Sequence, residues 1–236
     1  MSEAPAPTLT TPALLALDPL DLAALLCSKV CHDVISPVGA IVNGLEMLEE
    51  EKDPEMRNFA LDLVKRSAGS ASARLQFCRL AYGAAGSAGA EIDTGDAEKV
   101  ARGLIEDEKT RIVWNGPRIL LAKNKVKLLL NLCQIAASAI PRGGVVEATI
   151  SGAGADVALS ARSSGAYFRL SKNVPGMLAG RPESGVVDAH GIQSYYAGLV
   201  ARASAMEVEV IEEEGAVTLK ATQRAVAPLS LETPSA

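Results

Sequence analysis

His32 is one of two histidines in a chain of 236 residues, and its neighbours are of types that could do chemistry with it. It falls between Val30 and Val34, which lie on a recurring apolar stripe. At roughly 100° per residue a helix turns His32 about 160 to 200° away from both, so the ring is expected to face solvent in mid-helix. Asp33 could orient the ring or hold its second N–H. Lys29, one turn earlier, could offset anionic charge or only solvate the helix. Pro37 cannot donate a backbone hydrogen bond and is expected to kink the helix one turn beyond the histidine. A neutral imidazole nitrogen is a nucleophile near neutral pH, and the phosphoramidate it forms can pass its phosphoryl group onward. An exposed histidine on a rigid helix therefore suits a reversible phosphoryl carrier. Ser36, Gly39, Ala40, Asn43, Gly44 and Met47 fill the turns below it, where small residues let another helix come close. Gly39 and Gly44 would each cost about 1 kcal/mol relative to Ala. Docking of a partner explains that cost, and so does close packing of a second helix.

The elements that must position these residues are legible in outline. Asp18-Pro19 reads as a helix start, and Leu22, Leu26, Val30, Val34, Val38, Ile41, Leu45 and Leu48 carry one helix to about Glu50. Asp53-Pro54 repeats the signal, and Met56, Ala60, Leu63, Ser67, Ala71, Leu75, Cys78 and Tyr82 carry a second helix to about Gly83. The pair predicts an antiparallel hairpin over 18–83. It has more apolar surface than it can cover alone, counting Ile35, Val42 and Leu61, so dimerisation into a four-helix bundle is expected. Residues 84–95, small and without apolar period, read as a linker. An α/β sandwich is expected over 96–224, with helices near 96–109, 124–140 and 190–204, strands near 145–151, 156–161 and 167–170, and a hairpin turning at Glu214-Gly215. The stretches 1–17 and 225–236 are rich in Pro, Ala, Ser and Thr and are expected to be mobile tails. The fold class is α+β.

A net charge of −5 without a Lys/Arg cluster argues against nucleic acid as a partner. The N-terminal residues lack a signal-peptide pattern, and no run of about 18 apolar residues suggests a membrane span, so a cytoplasmic protein is expected. The four cysteines, Cys27, Cys31, Cys78 and Cys133, sit in apolar helical patterns and are expected to be buried thiols. Cys27, Cys31 and His32 do not make a metal site, because His32 turns away from Cys31 and no fourth ligand is near. His190, with Tyr195 and Tyr196, is expected to pack internally.

His32-Asp33-Val34-Ile35-Ser36-Pro37-Val38 resembles the H-box of two-component histidine kinases, and the second half resembles the kinase ATP-binding domain in its order of elements. The nucleotide motifs depart from the kinase pattern. Kinases carry two asparagines four apart, the second holding Mg²⁺; here Asn131 keeps the first place and Ile135 takes the second. The Asp-x-Gly-x-Gly box, which reads adenine, is matched only by Ala161-Arg162-Ser163-Ser164-Gly165. The glycine-rich lid is reduced to His190-Gly191-Ile192. An intact phosphoacceptor hairpin on such a domain resembles the dimeric histidine phosphotransferases of alphaproteobacteria, over roughly Asp18–Thr222.

That resemblance implies a multistep phosphorelay without ATP. His32 would take a phosphoryl group from the receiver aspartate of a hybrid kinase (CckA-like) and pass it to response-regulator receivers (CtrA-like, CpdR-like). Mg²⁺ would be supplied by the receivers and no cofactor bound by this chain. Asp33 occupies the position of the kinase base. The α/β domain is expected to add receiver contacts, with Arg162 and Arg169 as candidates. Two rival readings are an ATP-dependent histidine kinase or phosphatase, with Ser36 positioning a water, and a non-catalytic adaptor that binds receivers.

Overall fold

The computed structural model describes residues 14–83 and 90–224. Its N-terminal helices and C-terminal sheet make it a mixed α+β fold. Helix α1 (Pro19–Glu50) starts where its cap places it: the Asp18 carboxylate accepts the Leu20 N–H at 2.8 Å, and Pro19 occupies the first helical position. Helix α2 (Pro54–Ala81) starts with the Met56 N–H on the Asp53 carboxylate at 3.1 Å. Between them the Arg57 guanidinium donates to the carbonyls of Leu48 and Glu51 at the end of α1, tying the turn. Two backbone N–H groups, of Asp53 and Lys52, hold the Glu51 carboxyl below its usual range.

The two helices meet through small residues. Pro37 and Gly44 are the buried positions of α1, and Ala60, Ser67 and Ala71 are buried on α2. A Cβ on Gly44 would lie 2.7 Å from Val64 Cγ2 and 3.3 Å from the Ala60 carbonyl oxygen, so the helices approach too closely there for any side chain. Val38 and Leu45, expected on the same seam, are instead 44% and 47% exposed, beside Ile35 and Val42. Steps of three and four residues run along two adjacent faces of this helix, and the spacing alone merges them. By length and apolarity α1 would also suffice to cross a membrane.

The chain divides into two compact units whose boundaries do not follow the chain order. One joins the described part of Met1–Leu75 to Leu170–Leu199. Here Leu15 and Leu17 lie against Met177, Val187, Ile192 and Tyr195, together with Leu22, Leu25 and Leu26 from the first turns of α1. The fully buried Tyr195 hydroxyl accepts the Leu17 N–H at 3.2 Å and donates to the Leu15 carbonyl at 2.9 Å, and the Leu15 N–H reaches the Gly180 carbonyl at 2.8 Å. Leu15 and Leu17 thus belong to the core rather than to a mobile tail; residues 1–13 and 225–236 of the expected tails lie outside the described residues. The segment 170–199, expected inside the α/β domain, contains α5 (Asn173–Ala179) and most of α6 (Ile192–Ala203). Gly198 lets the two touch, since a Cβ would meet the Leu178 carbonyl oxygen at 2.1 Å.

The other unit covers Gln76–Arg169 and the part of Val200–Ala236 that is described. A short antiparallel pair, β1 (Glu91–Asp93) with β3 (Leu120–Ala122), precedes a five-stranded sheet in the order β2-β4-β5-β7-β6. The sheet strands are β2 (Thr110–Asn115), β4 (Gly144–Ser151), β5 (Ala158–Ser164), β6 (Met206–Glu213) and β7 (Ala216–Gln223); only β2 and β4 pair in parallel. Helix α3 (Thr94–Ile105) and helix α4 (Lys123–Ser138) accompany it. Helix α4 packs on β4 and β5 and buries ten of its residues, from Val126 through Ala136.

Several expectations are corrected. The linker 84–95 overlaps β1 and the start of α3, because Asp93 caps α3 by accepting the Gly95 N–H at 2.7 Å; residues 84–89 lie outside the described residues. Helix α3 ends at Ile105, and the Asp107 carboxylate then accepts the Lys109 and Thr110 N–H groups to turn the chain into β2. No strand forms at 167–170, where the Arg169 N–H bonds the Ala139 carbonyl and the Arg142 guanidinium stacks 4.4 Å over the Tyr167 ring. Cys27 and Cys31 are exposed, since they lie on the outer apolar face of α1; Cys133 alone is fully buried, and burial pushes its thiol up to about 12. His190 is 97% exposed at the head of the turn into α6 and does not pack with Tyr195.

Tyr195→Phe leaves the Leu17 N–H and the Leu15 carbonyl without their shared partner. It is expected to destabilise the fold by about 1–3 kcal/mol. Amide exchange at Leu15 and Leu17 is expected to speed up while α2 stays protected, which hydrogen-exchange mass spectrometry would read.

Candidate functional site: an exposed histidine above a polar depression

His32 stands clear of the protein. Its side chain is 85% exposed, and its Nδ1 lies 3.4 Å from Asp33 Oδ1. With the proton on Nδ1 directed to that carboxylate, Nε2 keeps its lone pair and faces solvent. The other Asp33 oxygen accepts from the Lys29 ammonium, one turn back along α1, and both side chains are largely covered, 17% and 14% exposed. Lys29 therefore balances Asp33 rather than offering its charge outward. Pro37 lacks the N–H that would bond the Asp33 carbonyl, so the backbone turn that carries His32 is free of one helical hydrogen bond.

Below the ring is an open depression of about 500 Å³ lined by His32, Asp33, Ser36, Pro37 and Ala40 of α1 and by Arg66, Ser67, Ser70 and Arg74 of α2. Of the residues expected below the histidine, Ser36 and Ala40 line it. Gly39 and Asn43 are exposed beside it, and Met47 is half-buried further down α1. A Cβ on Gly39 would meet nothing within 4 Å, so no internal packing explains that glycine. Gly44 does not belong with them: it is buried against Val64 and Ala60 and serves the hairpin. Of the four α2 residues the sequence named Ser67 alone, and as a member of the apolar stripe rather than of a site. The signal was present as a polar row at 66, 67, 70 and 74 on a helix otherwise read by its apolar stripe.

In the α/β unit the remaining motif residues are used by the fold. Asn131 is fully buried; its amide donates to the Lys127 carbonyl at 2.9 Å and the Ala81 carbonyl at 3.5 Å, tying α4 to the end of α2. Ile135 is 3% exposed, and Ala161 and Ser163 are fully buried in β5. Arg162 reaches Glu213 at 3.4 Å.

Known proteins match along most of the chain. The family described as histidine phosphotransferase C-terminal domain matches residues 94–216. The protein phosphotransferase ChpT of Brucella abortus (strain 2308) is 48% identical over 194 residues, 82% of this chain and 91% of that protein. A solved structure of a bacterial phosphotransferase superposes with a TM-score of 0.80 at 43% identity, covering 89% of this chain and all of that one. The helical hairpin with its α/β sheet domain is thus the fold of a bacterial phosphotransferase. The chain belongs to the histidine phosphotransferase family, and it is similar over most of its length to a ChpT. Phosphoryl transfer is accordingly its activity.

Because Gly39 is open and Gly44 is enclosed, the two glycines should respond in opposite ways. Gly39→Ala is expected to stabilise the protein by about 0.5–1 kcal/mol, and Gly44→Ala to lower its melting temperature. Thermal unfolding followed by circular dichroism at 222 nm checks both, and a higher melting temperature for Gly44→Ala would overturn the packing assignment.

Proposed function

We propose that His32 is the phosphoryl carrier of a phosphorelay, taking the group from the receiver aspartate of a hybrid kinase and delivering it to the aspartates of response-regulator receivers. The observation that carries this reading is the ring itself, 85% exposed and oriented by Asp33 above a depression open to a partner. The Nε2 lone pair attacks the phosphorus of an aspartyl phosphate; the acyl O–P bond breaks, an N–P bond forms, and the partner's carboxylate leaves with the bonding pair. The ring is then cationic, and its Nδ1 proton passes to Asp33 or to water. Return of the group reverses each step. Alignment and charge are what such a transfer needs from this chain, since the acyl phosphate is already activated. Mg²⁺ would come with the receiver.

Receivers of the CckA, CtrA and CpdR types are the partners we propose, docking on the His32 face of α1 beside Ser36, Gly39, Ala40 and Asn43. The absence of nucleotide chemistry is also proposed: it is supported by Ile135 at the kinase metal position and by the engagement of Asn131 in the fold. A cytoplasmic location follows from such partners. The protein acts as a dimer in this reading. Ile35, Val38, Val42 and Leu45 on α1 and Leu61 and Leu75 on α2 are each 40% or more exposed, an apolar row that a second copy would cover. On α1 that row lies roughly 60 to 140° around the helix from His32, which leaves the ring open in the dimer.

Offered a ³²P-labelled phosphorylated receiver, the protein is expected to take label, and His32→Ala to take none. Label acquired from ATP and Mg²⁺ alone would instead make it a kinase. The same preparation is expected to run as a dimer by light scattering at micromolar concentration, and Val38→Glu with Leu45→Glu to give monomers.

A further inference from the structure

The depression below His32 carries more positive charge than the resting protein uses. Lys29 is spent on Asp33. On the opposite wall stand Arg66, exposed, and Arg74, half-buried, and no carboxylate among the described residues pairs with either. The side chains are set up differently. Arg74 donates from Nε to Ser70 Oγ at 3.4 Å, which steadies its fork, while Arg66 is free to swing. Arg66, Ser70 and Arg74 recur every fourth residue, so they fall within roughly 80° of one another around α2 and face the same depression. The walls between them are small, Ser67, Ser70 and Ala40, and leave room for a group of phosphoryl size.

We infer that Arg66 and Arg74 form an anion-binding basin for the phosphoryl group carried by His32, with Arg66 closing on it during transfer and Arg74 held in place by Ser70. The inference rests on His32 as the phosphoryl acceptor. Its logic is charge balance: a phosphoryl group brings close to two negative charges at neutral pH, the Lys29–Asp33 pair is already neutral, and two unpaired guanidinium groups match what is added. Arginine suits the task better than lysine because its planar fork can bind two phosphoryl oxygens at once. During transfer the group is shared between two leaving atoms, Nε2 and the receiver carboxylate oxygen, and both bonds are long. A fixed cation beside it stabilises that arrangement more than either end state.

The test separates this role from receiver docking and from the relay itself. The protein in a His190→Gln background is phosphorylated with phosphoramidate, which transfers its phosphoryl group to the imidazole and releases ammonia, so no receiver is needed. ³¹P NMR then follows the phosphohistidine resonance, assigned by its loss in His32→Ala, as pH is varied. A nearby cation favours the dianion, so Arg66→Gln and Arg74→Gln are each expected to raise the phosphoryl pKa by about 0.5–1 unit, with Arg66→Lys in between. With a phosphorylated receiver as donor, Arg66→Gln is expected to lower kcat about tenfold while KM changes less than threefold. An unchanged phosphoryl pKa in the Arg66→Gln/Arg74→Gln double variant overturns the inference, and a rise in KM alone assigns the arginines to docking instead. If the wild type takes no label from a phosphorylated receiver yet the phosphoryl pKa shifts as stated, the relay reading fails and the basin stands.

Discussion

In the proposed relay a partner protein has to reach His32, so the ring must be fixed in space without being buried, and the rest of this structure is arranged around that constraint. Packing normally immobilises a side chain by covering it, which is unavailable here. The ring is instead placed by its backbone: α1 is held by what lies on its other side, Pro37 and Gly44 against α2, and by its cap at Asp18. Among the described residues one side chain hydrogen-bonds the imidazole, that of Asp33, and its carboxylate is itself held by Lys29. The chain of support runs outward from the helix pair to Asp33 to the ring. The cost is that α1 needs three faces. One packs on α2, one carries His32, and the third is an apolar row left over.

Fixing α1 also explains why the chain folds discontinuously. The first turns of α1 have their own apolar neighbours, Leu15, Leu17, Leu22, Leu25 and Leu26, and these close over Met177, Val187, Ile192 and Tyr195. Tyr195 satisfies two backbone groups of the segment ahead of α1 with one buried hydroxyl. A hydroxyl that is both donor and acceptor can close two such bonds without adding a charge to an apolar cluster. The segment 170–199 is thereby made part of the support for the histidine helix.

What the sequence makes legible follows from how local the cause is. The bounds of α1 and α2 are set by Asp-Pro pairs and by periodicity, all within a few residues, and both helices begin where the pairs predict. The exposure of His32 follows from helical geometry alone. The β6–β7 hairpin is equally local, turning at Glu214-Gly215, where Gly215 has φ of 71°. By contrast β1 and β3 are three residues each and exist only because they pair with one another across nearly thirty positions. Tyr195 is 180 residues from the carbonyl it holds, and nothing near it in sequence announces that bond. The division of α1 into two apolar faces, and of Gly39 from Gly44, depends on where α2 lies. Arg66, Ser70 and Arg74 escaped for the same reason: a polar row on a helix means little until the opposite wall is known.

Asn131, which resembles the first asparagine of the kinase motif, is engaged by the fold around it. Here it donates to a carbonyl of its own helix and to Ala81, and it is wholly enclosed. Its Oδ1, by contrast, is buried with no hydrogen-bond partner among the described residues, so the side chain is held by its amide end alone. Ile135, one turn on, has no such duty and is simply core. The same distinction applies at His32. A histidine exposed to 85% with a single partner at 3.4 Å contributes little to stability, and no packing argument accounts for its position or for the charge arranged around it. The asparagine amide is held by the carbonyls around it, whereas the histidine ring stands out in solvent, which is what the proposed transfer to a partner needs.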